Sequence, residues 1–419
     1  MSVLVIGGGG REHAICVALA KSPKTGKLYC IPGNAGIAEI AECKPDIGVM
    51  EFEKIGDFIA AHSDITMTVV APDDPLAAGL VDYLEERGFR AFGPRANAAI
   101  IEGSKAFAKE LMIKYGIPTA DYLATSDYDA AIRVLKRFKY PHVVKADGLA
   151  LGKGVVICQN VEEAETAVKE MMVDKKFKSA GNMVIFEEFL KGKEVSVLCF
   201  TDGKTIVPMV SSQDHKRAHD NDEGLNTGGM GTFSPSKVYT PELAKKVYDE
   251  IILPTMNAMN SEGRTFKGVL YFGLMITDKG VKVLEYNARF GDPETQVVLP
   301  RLKTDLYEIF DAIIDSRLSE VKIEWTDDAC VCVILASGGY PESYKKGVPI
   351  TIGKLPDDIT LYHAGTAIKD GKLVTSGGRV IGVTAKGADI EEARKKAYAA
   401  IEHIHFDGMF YRRDIGIKL

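Results

Sequence analysis

An apolar strand at Val3-Leu4-Val5-Ile6 runs straight into Gly7-Gly8-Gly9-Gly10, and a helical pattern follows at 12–21. The alternation repeats, with strand patterns at 28–31 and 66–71 and a helix at 76–87. Parallel strands need crossover connections, so strands that alternate with helices imply a parallel, doubly wound sheet. Residues 1–103 are therefore expected to form an α/β domain whose ligands sit at the strand carboxyl ends. The glycine run and the turn Pro32-Gly33-Asn34-Ala35-Gly36 both open on that edge.

A chain of 419 residues exceeds what one core serves, so several domains are expected. A net charge of −6 gives no general basis for binding nucleic acid, and any positive site must be local. No apolar run is long enough to span a bilayer, and the chain enters a strand at once, so neither a membrane segment nor a signal peptide is expected. Seven scattered cysteines without metal spacing suit a reducing, cytoplasmic compartment. Cys330 and Cys332 lie two apart on an apparent strand and read as core.

A helix over 104–115 ends at Gly116-Ile117-Pro118. Residues 121–192 read as a smaller unit, with helices at 130–138 and 161–172 and strands at 142–145, 155–158 and 183–187. Strands return at 194–200, 205–210, 268–276 and 281–285, with helices at 241–259 and 305–315. Trp325-Thr326-Asp327-Asp328 looks like a boundary before a last unit of short strands and one helix at 390–403. The expected division is 1–103, then 104–120 with 193–327, then 121–192, then 328–419.

The chemistry concentrates in Val283-Leu284-Glu285-Tyr286-Asn287-Ala288-Arg289-Phe290-Gly291-Asp292-Pro293-Glu294. Side chains alternate along a strand, so Glu285, Asn287 and Arg289 share one face. The carboxylate and the amide oxygen suit a hard cation such as Mg²⁺, and the guanidinium suits a phosphoryl group. Asp292 and Glu294 display two more carboxylates beside them.

Backbone amides at Gly9 and Gly10, with the helix N-terminus behind them, suit a phosphate. Arg11-Glu12-His13 stands where a dinucleotide fingerprint has its third glycine, which opposes a dehydrogenase. Lys145 precedes a glycine hairpin over 148–154, containing Gly152, Lys153 and Gly154, that can fold over a triphosphate. It is not a P-loop, because no Gly-Lys-Ser/Thr opens a helix. Glu187-Glu188-Phe189-Leu190-Lys191-Gly192-Lys193-Glu194 is a connector suited to a base and a ribose. Asp214-His215-Lys216-Arg217 followed by Asn226-Thr227-Gly228-Gly229-Met230-Gly231 suits a phosphorylated substrate. Singly, each block has a plainer reading: an ion-paired strand, a turn, a mobile hairpin, an acidic hinge, an exposed loop.

In this order, with Gly103-Ser104-Lys105-Ala106-Phe107 and Ser337-Gly338-Gly339-Tyr340-Pro341, the blocks resemble the ATP-grasp ligases and, more specifically, the glycinamide ribonucleotide synthetase family. The resemblance runs end to end. Ala71-Pro72-Asp73 replaces a usual Gly-Pro-Glu turn, and Leu225 stands where proline is usual. A carboxyaminoimidazole ribonucleotide synthetase would share the flap and the metal strand but lack the 214–217 and 226–231 blocks. A nucleotide sensor that had lost catalysis would have lost Glu285, Asn287, Arg289 or the lysines.

The resemblance implies a four-lobed α/β ATP-grasp ligase that joins glycine to 5-phosphoribosylamine through a glycyl phosphate, with ATP and Mg²⁺ or Mn²⁺. It places the metal on Glu285 and Asn287, and the nucleotide on Lys105, Lys145, the glycine flap, Glu187, Phe189 and Glu194. Arg289, Lys145 and Lys105 would stabilise the transferred phosphoryl group. Gly9, Gly10, Asn34, Asp214, Lys216 and Arg289 would hold phosphoribosylamine, and Asp292 and Glu294 the glycine ammonium. A monomer or homodimer is implied, with no nucleic-acid or membrane partner.

Overall fold

The computed structural model describes residues 1–149 and 154–417. The first sheet is parallel and five-stranded, in the spatial order Glu42–Cys43, Leu28–Pro32, Ser2–Gly7, Ile65–Val70, Ala91–Phe92. Val3, Leu4, Val5 and Ile6 have no exposed surface, as a parallel strand covered on both faces requires. The helix expected over 76–87 is two helices, Asp73–Ala77 and Leu80–Glu86. Gly79 separates them at φ 91°, a left-handed conformation that glycine adopts without penalty.

The smaller unit is a four-stranded antiparallel sheet, in the order Tyr122–Thr125, Val184–Glu188, His142–Ala146, Val155–Cys158. Helices Tyr128–Leu135 and Val161–Met172 pack on it through Ala131, Leu135, Ala164 and Val168. The central sheet is also antiparallel and four-stranded, in the order Ile206–Pro208, Lys193–Thr201, Gly268–Thr277, Gly280–Asn287. The helix expected over 241–259 is a helical run with a π turn at Tyr248–Ile252 just before Pro254, whose missing N–H relaxes the ladder there.

One irregularity in the central sheet positions the site. Gly273 pairs with Glu285 and Leu274 with Val283, so Leu284 is an extra residue in its strand. This β-bulge changes the phase of the alternation. Val281 and Val283 are buried before it, and Tyr286, Ala288 and Phe290 after it. Glu285, Asn287 and Arg289 therefore keep the opposite face.

The last sheet crosses the expected boundary at 327/328. Its five strands run Gln213–Asp214, Gly231–Ser234, Ala329–Ala336, Arg379–Gly387, Ile359–His363. The first two come from the central segment: Gln213–Asp214 pairs antiparallel with Gly231–Ser234, which in turn pairs antiparallel with Ala329–Ala336. Helix Ile390–Ile401 packs on this sheet through Ala393, Ala397 and Ile401. Cys330 and Cys332 are fully buried in it, as their spacing predicts.

Candidate active site

The bulge at Leu284 frees a backbone carbonyl, and Lys145 Nζ donates to it at 3.3 Å. The same ammonium lies 3.0 Å from Glu187 Oε2, and Lys109 Nζ lies 3.3 Å from that oxygen. One carboxylate thus serves two buried lysines. Burial pushes the Lys109 pKa down to about 8, against the pull of Glu187. Lys105 caps the hairpin entrance, donating to Gly148 O at 2.9 Å and Asp147 O at 3.3 Å. Burial lowers its pKa as well, while Glu285 and Lys145 act on it in opposite directions. Gly152 and Lys153 lie outside the described residues. Gly154 is buried, and its carbonyl accepts from Ala146 N at 2.8 Å.

Across the bulge, Glu285 Oε1 is 3.2 Å from Lys216 Nζ. The positive charges of Lys216, Lys145 and Lys105 outweigh burial and hold the Glu285 carboxyl down at about 2. Gly273, opposite Glu285, leaves room for it: a Cβ there would meet Glu285 Cγ at 3.0 Å. Asn287 Oδ1 accepts from Arg289 Nη2 at 3.0 Å. Arg289 Nη2 also pairs with Glu102 Oε1 at 2.8 Å, and Glu102 Oε2 accepts the Ala288 N–H at 2.7 Å. Burial opposes the Arg289 charge, but Glu102 and Asp73 outweigh it and its pKa rises. Its Nε is buried and has no hydrogen-bond partner among the described residues.

The two glycine turns of the first domain interlock. Gly33 N donates to Gly7 O at 3.1 Å, and a Cβ on Gly8 would meet Gly33 O at 2.5 Å. Gly9 N donates to Glu12 Oε2 at 2.7 Å, while a Cβ on Gly10 would meet Gln296 Nε2 at 2.7 Å. These turns therefore press against the 291–296 segment. Asn34, expected to hold phosphoribosylamine, has its amide engaged within the protein. Its Nδ2 donates to Gly8 O and His363 O, at 2.9 and 2.7 Å, and its Oδ1 accepts from Gly36 N and Ile37 N, at 3.0 and 2.9 Å. All its capacity is used in shaping the edge.

Asp292, expected near the glycine ammonium, is likewise engaged within the protein. One carboxylate oxygen accepts from Arg379 Nη2 at 2.9 Å and the other from Gln296 Nε2 at 2.7 Å. Despite burial, Arg379 and Arg11 hold its pKa below the usual range. Glu294 is buried, accepting from Tyr271 Oη at 3.2 Å and Ser196 Oγ at 3.3 Å. Burial and then the Glu294 charge raise the Asp214 pKa well above its ordinary value. Glu194 stays about half exposed, 4.0 Å from Lys216, and Phe189 is half-buried on the connector.

Direct contacts and mutual charge effects link Lys105, Lys145, Glu187, Lys216 and Glu285, with Asn287 and Arg289 next along the same strand face. The structure adds Lys109, Glu102, Tyr271 and Arg379, which sequence reasoning missed. Lys109 is one helical turn after Lys105, a spacing that marks the same face. Glu102 directly precedes the block containing Lys105.

The chain is similar to known proteins along most of its length. Models of the phosphoribosylglycinamide synthetase N, ATP-grasp (A) and C domains match residues 1–102, 103–295 and 330–418. A phosphoribosylamine–glycine ligase of Caldanaerobacter subterraneus subsp. tengcongensis is 49% identical over 415 residues, 99% of each chain. The crystal structure of a phosphoribosylamine–glycine ligase from Thermotoga maritima matches with a TM-score of 0.84 at 36% identity, covering 99% of this chain and 100% of that one. The biotin carboxylase domain of Hydrogenobacter thermophilus 2-oxoglutarate carboxylase matches at 18% identity with a TM-score of 0.74, covering 98% and 91%, and shows the fold alone. With three family models matched in succession along most of its length and a relative 49% identical over 415 residues, the chain belongs to the phosphoribosylglycinamide synthetase family of ATP-grasp ligases.

Proposed function

We infer that the protein joins glycine to 5-phosphoribosylamine with conversion of ATP to ADP and phosphate, a step of purine biosynthesis. The observation that carries this reading is the convergence of Lys105, Lys145 and Lys216 on the ionised Glu285, beside Asn287 and Arg289. Phosphoryl transfer needs positioning and charge neutralisation more than a protein nucleophile, and this cleft supplies both.

A glycine carboxylate oxygen attacks the γ-phosphorus, the bond to the β-phosphate oxygen breaks, and ADP leaves. The amine nitrogen of phosphoribosylamine then attacks the glycyl carbonyl carbon. The C–O bond to phosphate breaks, and the nitrogen loses a proton as the amide forms. Lys105 and Lys145 hold phosphate oxygens, and Arg289 faces the transferred group. Glu187 keeps the Lys145 ammonium aimed into the cleft. Phe189 and Glu194 take the adenine and the ribose. Gly9, Gly10 and Lys216 take phosphoribosylamine, and Asp214 and Glu294 the glycine ammonium. A hairpin closing over 148–154 keeps water from the acyl phosphate.

The donor set of Glu285 and Asn287, one carboxylate held ionised and one amide oxygen, fits a hard divalent cation, Mg²⁺ or Mn²⁺. When bound there, that ion neutralises phosphate charge. The reading extends to a cytoplasmic monomer or homodimer. Its cysteines are all free, and among the described residues no helix is long and apolar enough to cross a membrane.

The test is ADP release with Mg-ATP and glycine, with and without phosphoribosylamine made in situ. ADP formation that requires both substrates, with glycinamide ribonucleotide in equal amount, is the expected result. A folded protein that binds ATP and releases no ADP even with both substrates present would overturn the reading.

A further inference from the structure

Arg379 opens the strand Arg379–Gly387 of the terminal sheet, yet its guanidinium serves two segments from elsewhere in the chain. Nη1 donates to Gly228 O at 2.6 Å, to Asp292 O at 2.8 Å and to Gly229 O at 3.4 Å. Nη2 donates to Asp292 Oδ2 at 2.9 Å. A second group of the same domain joins in, because Tyr340 Oη accepts the Gly228 N–H at 3.0 Å. The approach is close: a Cβ on Gly228 would meet Arg379 Cζ at 3.0 Å.

Both clasped segments border the amine and glycine half of the cleft. A Cβ on Gly229 would meet Asp214 Oδ1 at 2.7 Å, and one on Gly9 would meet Asp292 Oδ2 at 3.6 Å. From Asp292 the contacts continue through Gln296 to Gly10. Among the described residues, none of these groups hydrogen-bonds or pairs with Lys105 or Lys145, whose partners are Asp147, Gly148, Glu187 and Leu284. A planar, permanently charged fork can hold four acceptors on two segments at once, which a lysine ammonium cannot do with the same geometry.

We propose that Arg379 is a positioning residue for the amine and glycine half of the site, so that the terminal domain completes the active site. The proposal rests on the reading of those two substrates given above, and its test includes a measurement that does not need turnover.

Arg379→Met, Arg379→Lys and Tyr340→Phe are compared with the wild type. Misplacing a substrate by about 1 Å costs on the order of 100-fold, so Arg379→Met is expected to lose about that much in kcat/KM for phosphoribosylamine and glycine. KM for ATP stays within about threefold, because the nucleotide half is untouched. Arg379→Lys recovers part of the loss, and Tyr340→Phe shows a smaller loss with the same substrate pattern. Amide hydrogen exchange is expected to rise in Arg379→Met at 226–231 and 291–296 and to stay unchanged at 142–146. Unchanged kcat/KM, or an ATP KM that rises in step with the other two, would overturn the proposal. Should Arg379→Met fail to fold, the Lys and Phe variants decide by the same criteria. An inactive wild type would sink the reading of the reaction while leaving the exchange measurement to judge Arg379.

Discussion

Glu285 Oε1 sits 3.2 Å from Lys216 Nζ, which joins the strand carrying the metal candidates to the loop carrying the substrate candidates. The pair is two-sided. Glu285 raises the Lys216 pKa, and Lys216 lowers that of Glu285 to about 2. A carboxylate depressed this far contributes stability that is present above the ordinary carboxylate range and lost only as pH falls toward 2. Glu285 therefore stays ionised through any working pH. The acid limb of a pH–rate profile must come from another group.

The first prediction follows from that charge. Glu285→Gln keeps the shape but removes the ionised oxygen, so half-saturation by Mg²⁺ is expected to rise by about tenfold or more and kcat to fall by about 100-fold. Titrating Mg²⁺ at saturating ATP measures both. Wild-type turnover at limiting Mg²⁺ would remove Glu285 from the metal site.

Glu187 carries a second prediction, because two buried lysines share its Oε2. Glu187→Gln leaves both ammonium groups without their carboxylate, and breaking a buried pair in this way costs roughly 3–5 kcal/mol. Lys109→Met leaves the contact between Glu187 and Lys145 in place and is expected to cost less. Urea unfolding of the two variants ranks them. Lys109 adds a pH signature. Its folded pKa of about 8 lies below its unfolded value, so between those pH values the unfolded state binds more protons and stability rises with pH. Lys109→Met lacks that rise, and a stability difference from wild type that stays flat from pH 8 to 10 would refute the shift.

Much of this cleft was legible in the sequence because its signals are local. Period-two polarity marked Glu285, Asn287 and Arg289, and glycine runs marked the turns. Even the bulge left a trace, since Val283-Leu284 is where the apolar phase changes. What the sequence does not show is which partners a side chain takes within the fold. Asn34 and Asp292 carry the right chemistry in the right place, but long-range partners take it up: His363 O for one and Arg379 for the other. Arg379 itself was invisible, because its acceptors lie 87 and 151 residues away. The terminal sheet crossed its expected border for the same reason. Strands as short as Gln213–Asp214 carry no periodicity, and only pairing onto Thr232 and Phe233 defines them.

The histidines at the junction of the first and last domains give an acid signature. His363 N donates to His13 Nδ1 at 2.8 Å, so that nitrogen must be unprotonated. Burial, and for His13 also its neighbour, lowers the two pKa values to about 3 and about 4. Both folded values lie below the unfolded value of about 6.5. Stability is therefore fully present above that pH and drains away as pH falls toward 4. For His363 alone this amounts to roughly 2 kcal/mol between pH 7 and 5. His363→Gln is expected to show a shallower decline in unfolding free energy over that interval. Parallel curves for variant and wild type would show that the pair does not titrate with folding.

A tight backbone approach between two turns of the first domain supplies the last test. Gly8 and Gly33 belong to different turns, and a Cβ on Gly8 would meet the Gly33 carbonyl, an atom that cannot swing aside. Gly8→Ala must push the turns apart by a sizeable fraction of an ångström. That displaces the amides of Gly9 and Gly10 and strains the contact of Asn34 Nδ2 with Gly8 O. Overpacking of this kind costs about 1–3 kcal/mol, and part of it is expected to fall on ligand affinity. KM for phosphoribosylamine should rise by about tenfold with KM for ATP unchanged, because Lys105 and Lys145 are held by other segments. Steady-state kinetics with each substrate varied in turn separates the two. An equal rise in both constants would mean that the first domain moves as a body and that its glycine turns do not form a local phosphate site.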